Sequence, residues 1–391
     1  MATLVDYVTH NQETSFTKLA LNELDIAVIN EIGYLPFDGL IGQASYRLSD
    51  MTLANLIRGN QDAFGKPVYN FLITKERLAL FLAVSQSKRF ADLSLSNYVN
   101  DINVEFEKQF AAMVFTIDTI NHVQIVFRGT DDSLIGWKED FKLTYMREVP
   151  AHRSAIAYLK TFQKEHPNCD VTISGHSKGG NLALYASSFL SPYGQSFIKR
   201  LYLFDAPGLP QSQLNHPGYR AIREKLTVIQ PHESVVGVML YYDVPVTIVR
   251  SLSYGLLQHK ICNWLVDLGG AFETVAERSA LSLHLEVAFR DWTRDLSKSE
   301  LKLIGDAFFD TLIASGITSL NAFTFDEKAM GTIFRAIYSL HSIDHRKKAL
   351  MITSMRKLIG TYTGYRKRQV SEKMLSAVSH VLKSPKSFKK P

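Results

Sequence analysis

Apolar and polar positions change their period along the chain, and the changes mark out its elements. Through residues 1–65, short apolar groups broken by polar stretches predict an N-terminal cap segment of short helices. Next comes an amphipathic stretch around Phe71 to Phe90. Leu72, Leu78, Phe81, Leu82 and Val84 share its apolar side, which predicts a helix. The texture then shifts. Residues 112–117 and 123–127 are β-rich runs split by a turn-like segment at 118–122, the pattern of a hairpin. Helices are expected at 151–165, through 182–186 and near 219–225. Strands are expected at 171–174, 200–204, 226–230 and 246–249. Strands alternating with helices predict an α/β class, with a mainly parallel central sheet covered by helices on both faces. Beyond about Gly270 the apolar spacing becomes three and four throughout, over 271–287, 298–315, 326–340 and 347–361. The expected organisation is therefore the cap segment at 1–65, a core at 66–270 and a C-terminal helical region at 271–391.

Composition adds limits. The chain has 391 residues, 46% hydrophobic and 21% charged, a globular balance in a length generous for one core. Cys169 and Cys262 are the two cysteines, too few for a disulfide framework and suited to a reducing compartment. The first residues lack a basic stretch followed by an apolar core, and no apolar run reaches the roughly 20 residues a bilayer span needs. A cytoplasmic protein is expected. Of the net charge of +6, the segment after residue 360 carries more than the total, with eight basic residues against Glu372. This basic tail is expected to be solvated, with peripheral contact to an anionic membrane as the alternative. No specific nucleic-acid binding is expected. Metal-ligand spacings, a phosphate-binding loop and a dinucleotide fingerprint are all missing, so neither metal nor cofactor is expected.

The candidate chemistry sits in Gly175-His-Ser-Lys-Gly179, between the strand at 171–174 and the helix through 182–186. A serine hydroxyl attacks a carbonyl only when it is exposed and served by a base. A strand turning into a helix within one residue presents Ser177 in that way, provided the positions two residues either side are small. The helix behind it directs its dipole at the reaction centre, and the backbone N–H of Lys178 is placed to bind a developing oxyanion.

A second oxyanion donor normally comes from the loop after an earlier strand, here the loop opening Phe127-Arg-Gly-Thr130, with Trp137 and Asp140 downstream. This segment resembles the oxyanion loop of the class 3 (fungal-type) lipases. Leu4-Val-Asp-Tyr7, Asn22-Glu-Leu-Asp25 and Gly33-Tyr-Leu-Pro-Phe-Asp38 narrow the resemblance to the Mbeg1-like family of bacterial α/β-hydrolases, over about residues 1–270. It implies the α/β-hydrolase fold, Thr130 as the second oxyanion contact, and Arg128 and Asp140 as braces of that loop.

The triad of this fold runs serine, acid, histidine. Among the later histidines, His216 and His232 lie too close to the ends of earlier elements, and those from His284 on fall in the helical region. His259 follows the last expected strand in Gly255-Leu-Leu-Gln-His259, and the resemblance also places the base in a Gln-His segment. Two carboxylates compete for the acid. Asp205 ends a strand in Phe204-Asp-Ala-Pro-Gly208; Glu233 ends the next and matches the lipase position better. Asp205 is favoured because a short arm on a sharp turn fixes an imidazole well. The expected function is hydrolysis of an acyl ester or lipid through an acyl-enzyme. An acyltransferase, thioesterase or peptidase with the same triad, or an inactive binding protein, are the alternatives.

Overall fold

The computed structural model describes residues 1–40, 45–57, 72–103, 108–129 and 140–314, with isolated positions at 61–62, 66–67, 69, 138, 345–346, 349 and 352–353. The chain divides into two compact units, 1–323 and 324–391. Nearly all described residues belong to the first. The helices expected at 326–340 and 347–361 and the basic tail fall almost wholly outside the described residues.

The described strands form one eight-stranded sheet in sequential order. They are β1 (Tyr46–Arg47), β2 (Leu93–Asn103), β3 (Lys108–Ile117), β4 (His122–Arg128), β5 (Val171–His176), β6 (Ile198–Phe204), β7 (Leu226–Pro231) and β8 (Val246–Val249). The sheet is mixed: β1 to β4 pair antiparallel and β4 to β8 pair parallel. The hairpin of β3 and β4 lies where the sequence predicts it. β2 is a difference, because the residues after the helical stretch form a long strand. A register shift between Ser96 and Val99 and a left-handed Asn97 (φ 50°) interrupt its alternation.

The helices are α1 (Leu4–His10), α2 (Glu23–Ile32), α3 (Leu53–Leu56), α4 (Lys75–Gln86), α5 (Pro150–Glu165), α6 (Lys178–Ser188), α7 (Pro192–Ser196), α8 (Pro217–Ile222), α9 (Ala280–Asp295) and α10 (Lys298–Ala314). Right-handed crossovers that all step in one direction put their helices on one face. The burial follows that rule. Alternate strand residues (Ala112, Val114, Ile125, Phe127, Ile173, Leu201, Leu203, Val228) pack with Leu159 of α5, Leu182 of α6 and Tyr219 of α8. The opposite alternation (Met113, Phe115, Val126, Phe204, Ile229, Val249) packs with Leu4 of α1, Ile29 of α2, Phe81 of α4, and Trp264 and Phe272. The N-terminal helices thus cover the face the crossovers leave open. Together, the parallel half with helices on both faces is an α/β-hydrolase fold. The stretch 271–287 is helical only from Ala280. Before it, Phe272 and Thr274 bridge to Val266 and Val249 as extended chain. No helix among the described residues is long and apolar enough to cross a membrane.

Charged groups also hold the N-terminal layer. Asn22 caps α2 by accepting from the N–H groups of Leu24 and Asp25, while Asp25 accepts from the Asn22 N–H. The carboxylate of Asp25 also takes the Tyr7 hydroxyl at 3.0 Å and a bidentate Arg89 guanidinium at 2.9 and 2.6 Å. Arg89 and Asp25 are fully buried. Burial, and next the nearby Asp25 charge, raise the Tyr7 phenol far above its ordinary range, so it stays a donor. Removing one member of a buried pair leaves an uncompensated charge. Asp25→Ala should therefore cost about 3–5 kcal/mol of stability, read as a lowered urea midpoint with an unchanged slope. Loss of less than about 1 kcal/mol would contradict it.

Candidate active site

The site is built at the carboxyl ends of the parallel strands, where open α/β sheets bind ligands. β5 ends at His176 and α6 begins at Lys178, so Ser177 alone makes the turn, at φ 58° and ψ −137°. A positive φ is rare for a residue with a side chain and must be held by its surroundings. Here the Ser177 N–H donates to the Phe204 carbonyl of β6 at 3.1 Å, and the Ser177 carbonyl accepts from the Gly180 N–H at 3.0 Å. The backbone crosses so closely that a Cβ on Gly179 would strike the Phe127 carbonyl oxygen, and one on Gly175 would strike the backbone of Gly179. The spacing of glycines around the serine is therefore a packing requirement.

Asp205 follows β6 directly, also at positive φ (38°), and is fully buried. Its Oδ1 accepts the Ser234 hydroxyl at 2.5 Å and the Gly237 N–H at 3.1 Å. Its Oδ2 lies 2.7 Å from Nδ1 of His259. His259 closes a single-turn helix, Gly255–His259. The structure thus brings Asp205 to His259, two residues 54 apart in sequence. Glu233 is also buried but turns to the start of that same turn, where its Oε2 accepts the Gly255 N–H. Its backbone N–H donates to the Gln258 side chain at 2.9 Å. The Trp264 indole donates to the Gln258 carbonyl at 2.6 Å. α9 leans on the same region through Ser282, whose hydroxyl donates to the Ser234 carbonyl at 2.7 Å.

Of the oxyanion candidates, Lys178 is the buried first residue of α6. Thr130 and Trp137 lie outside the described residues. The chain just before Thr130 is described: a Cβ on Gly129 would come within 3.3 Å of Ser177 Cβ, so the exit of β4 runs beside the serine. Arg128 reaches Asn100 at 2.8 Å and the Tyr98 hydroxyl at 3.3 Å, tying that exit to β2. Asp140 is buried at the start of a segment leading to α5.

Several partners are not legible in the sequence. Ser234 and Gly237 act on Asp205 from a loop about thirty residues on, and no local pattern announces them. On the far side of α6, Asn181 accepts from His152 Nε2 through its Oδ1 at 2.8 Å and donates through Nδ2 to the Gly208 carbonyl at 2.7 Å. Burial lowers the His152 imidazole to about 4, so that ring is neutral and structural. Tyr34 and His176 touch the site as well. The one signal for them is their place inside Gly33-Tyr-Leu-Pro and Gly-His-Ser. Among the described residues, no cluster of His, Cys, Asp and Glu is arranged to hold a metal ion.

Comparison with known proteins places this chain. No curated protein matches it. Several solved lipases are similar in structure. Lip2 lipase from Yarrowia lipolytica shares 13% identity at a TM-score of 0.35, over 52% of this chain and 79% of that one. A Rhizomucor miehei lipase, solved as a propeptide complex, shares 17% at 0.30, over 42% and 58%. The lipase from Rhizopus microsporus var. chinensis shares 15% at 0.31, over 44% and 64%, so this chain spans less than two thirds of either of the last two. A family model matches residues 84–310, beyond the N-terminal segments of the sequence resemblance and through the whole span from β4 to α9. That match covers more than half of the chain and includes Ser177, Asp205, Glu233 and His259, and the protein belongs to the Mbeg1-like family.

Proposed function

We propose that this protein is a serine hydrolase that cleaves acyl esters, with Ser177 as nucleophile, His259 as general base and Asp205 as the orienting acid. The observation that carries the reading is the Asp205–His259 pair at 2.7 Å, beside a serine held at positive φ between β5 and α6. An ionised carboxylate only accepts, so a hydrogen bond to it puts the proton on His259 Nδ1. Nε2 is then the basic nitrogen, the one that takes the serine proton as the hydroxyl attacks. The attack converts the ester carbonyl into a tetrahedral oxyanion. The N–H of Lys178, at the head of α6, and the segment after Gly129 are the donors this reading assigns to it, with Thr130 as the second contact. Collapse expels the alcohol, which leaves with the proton from His259. Water, deprotonated by the same imidazole, then releases the acid from Ser177.

Asp205 is preferred to Glu233 because its carboxylate meets the imidazole, while Glu233 is engaged with the Gly255 N–H. In this reading Glu233 holds the turn that carries the base. The substrate class is an acyl ester or lipid, and contact of the basic tail with anionic lipid is part of the same proposal.

Hydrolysis of p-nitrophenyl butyrate tests the roles. Ser177→Ala and His259→Ala should each lower kcat by about 10⁴-fold or more, as triad members that act as a unit do. Both should fold, and Ser177→Ala should abolish labelling by a fluorophosphonate probe. A wild type that turns over neither ester nor probe would end this reading. The two carboxylates should separate: Asp205→Asn should cost about 10⁴-fold, since it favours the wrong imidazole tautomer. Glu233→Gln, which keeps an acceptor for the Gly255 N–H, should cost about tenfold or less. Equal losses would remove the assignment of Asp205.

A further inference from the structure

Two imidazoles lie side by side at this site, and the mechanism uses one. His176, immediately before the serine, packs its ring against that of His259 with centroids 4.3 Å apart. Its Nε2 is 2.7 Å from the His259 carbonyl oxygen. Its Nδ1 is 3.0 Å from the hydroxyl of Tyr34, which lies 3.1 Å from the His176 carbonyl oxygen and accepts the Gly129 N–H at 3.1 Å. One phenol and one imidazole therefore touch the exit of β4, the turn of the nucleophile and the turn that carries the base.

The hydrogen count fixes the chemistry of this contact. A carbonyl oxygen only accepts, so Nε2 of His176 carries a proton and donates it to His259. Nδ1 of a neutral ring is then bare, and the one proton of the Tyr34 hydroxyl is shared between that nitrogen and the His176 carbonyl oxygen, while the hydroxyl oxygen accepts from Gly129. His259 has the opposite tautomer, with its proton on Nδ1 towards Asp205. The two neighbouring histidines are thus distinguished by what surrounds them. Burial holds His176 well below the usual imidazole range, the neighbouring His259 ring and the Arg77 guanidinium act in the same direction, and the hydrogen bond to the His259 carbonyl opposes them. Burial also keeps the Tyr34 phenol protonated, against the opposing pull of Arg77.

The phenol is itself fixed. The Arg77 guanidinium lies over the Tyr34 ring, 4.1 Å from its centroid. Arg77 Nε donates to buried Glu31 at 3.0 Å, and the Cys262 thiol, three residues beyond the base, lies 3.3 Å from the same carboxylate oxygen. A charged pair of α2 and α4 thereby clamps the ring whose oxygen enters the site.

Resting on the triad reading above, we infer that Tyr34 and His176 are positioning residues that staple the exit of β4 at Gly129, the nucleophile and the base into one register. They act through the residues that react, His176 on the ring and carbonyl of His259 and Tyr34 on the backbone of His176 and Gly129. Their effect is on the alignment of Ser177 with His259 and of Gly129 with both, where a shift of about 1 Å costs about 10²-fold in rate.

The test uses the full chain, labelled with ¹⁵N-histidine, as wild type, Tyr34→Phe, His176→Leu and His176→Gln. Tyr34→Phe keeps the ring under Arg77 and removes one oxygen. His176→Gln keeps a donor and an acceptor where His176→Leu keeps neither. At neutral pH the wild-type spectrum should show His176 protonated on Nε2 and His259 on Nδ1. In Tyr34→Phe the His259 Nδ1 proton should shift or broaden, carried through His176, which bonds the Tyr34 hydroxyl and packs on the His259 ring. With p-nitrophenyl butyrate, Tyr34→Phe and His176→Leu should lose about 10²-fold in kcat with KM within about threefold, and His176→Gln should recover part of the loss. An Nδ1-protonated His176, or unchanged His259 signals and kcat in the first two variants, would overturn the inference. So would lowered thermal stability with the His259 proton and kcat intact, which marks a merely structural role. If Ser177→Ala hydrolyses the ester as fast as wild type, the hydrolase reading fails by itself, and the imidazole spectra still decide the staple.

Discussion

Three stretches of main chain meet around residue 177 at distances that exclude side chains. The exit of β4 passes Gly179 so closely that a Cβ there would collide with the Phe127 carbonyl, and Gly175 abuts the first turn of α6 in the same way. On the other side, the Phe204 carbonyl at the end of β6 accepts the Ser177 N–H. A non-glycine residue at φ 58° costs of order 1–3 kcal/mol and persists only where its neighbours over-determine it. Here they do, and the site inherits its geometry from that crowding. Gly129 is drawn beside the serine, the helix head is brought up behind it, and Asp205 leaves β6 one residue after the carbonyl that fixes the turn.

The sequential strand order explains which parts of the chain reach this point. Stepping always in one direction, the crossovers commit α5, α6 and α8 to one face of the sheet. The other face needs a separate cover, and α1, α2 and α4 supply it. An N-terminal layer of this kind has to be locked down, because its contacts close long loops. The buried Asp25–Arg89 and Glu31–Arg77 pairs do that, with α2 providing both acids. Since α2 runs directly into Gly33 and Tyr34, whatever fixes that helix also fixes the phenol against His176. Stability of the open face and order at the site therefore rest on the same helix.

What could be read from the sequence was what local physics encodes. The strands of the parallel half show their period of two, and Gly-His-Ser-Lys-Gly between strand and helix has a steric cause visible in the residues themselves. β2 escaped because the left-handed Asn97 and its bulge break the alternation of Leu93-Ser-Leu-Ser96 before it completes. Residues 271–275 carry apolar spacing that also suits a helix, yet they pair with Leu265, Arg250 and Ile248, partners no local pattern predicts. Helix α2 is buried at nine of its ten positions, including Asp25, Asn30 and Glu31. Polar residues inside a fold make sense only through distant partners, and those partners are invisible in sequence.

The choice between Asp205 and Glu233 shows the same limit at one site. Both end neighbouring parallel strands at the same rim, so spacing gives them equal standing. Burial does not separate them either, since both are almost completely enclosed. The difference lies in which part of the turn 255–259 each one meets. Glu233 accepts from the backbone N–H at its first residue, and Asp205 meets the imidazole at its last. A five-residue turn held by an acceptor at each end has little freedom to rotate. Moreover, Asp205 is itself immobilised by Ser234 and Gly237, on the loop that Glu233 opens. The two carboxylates therefore work as a pair on one element. One sets where the turn begins, the other sets how its imidazole faces, and exchanging their roles would need the turn to run in reverse.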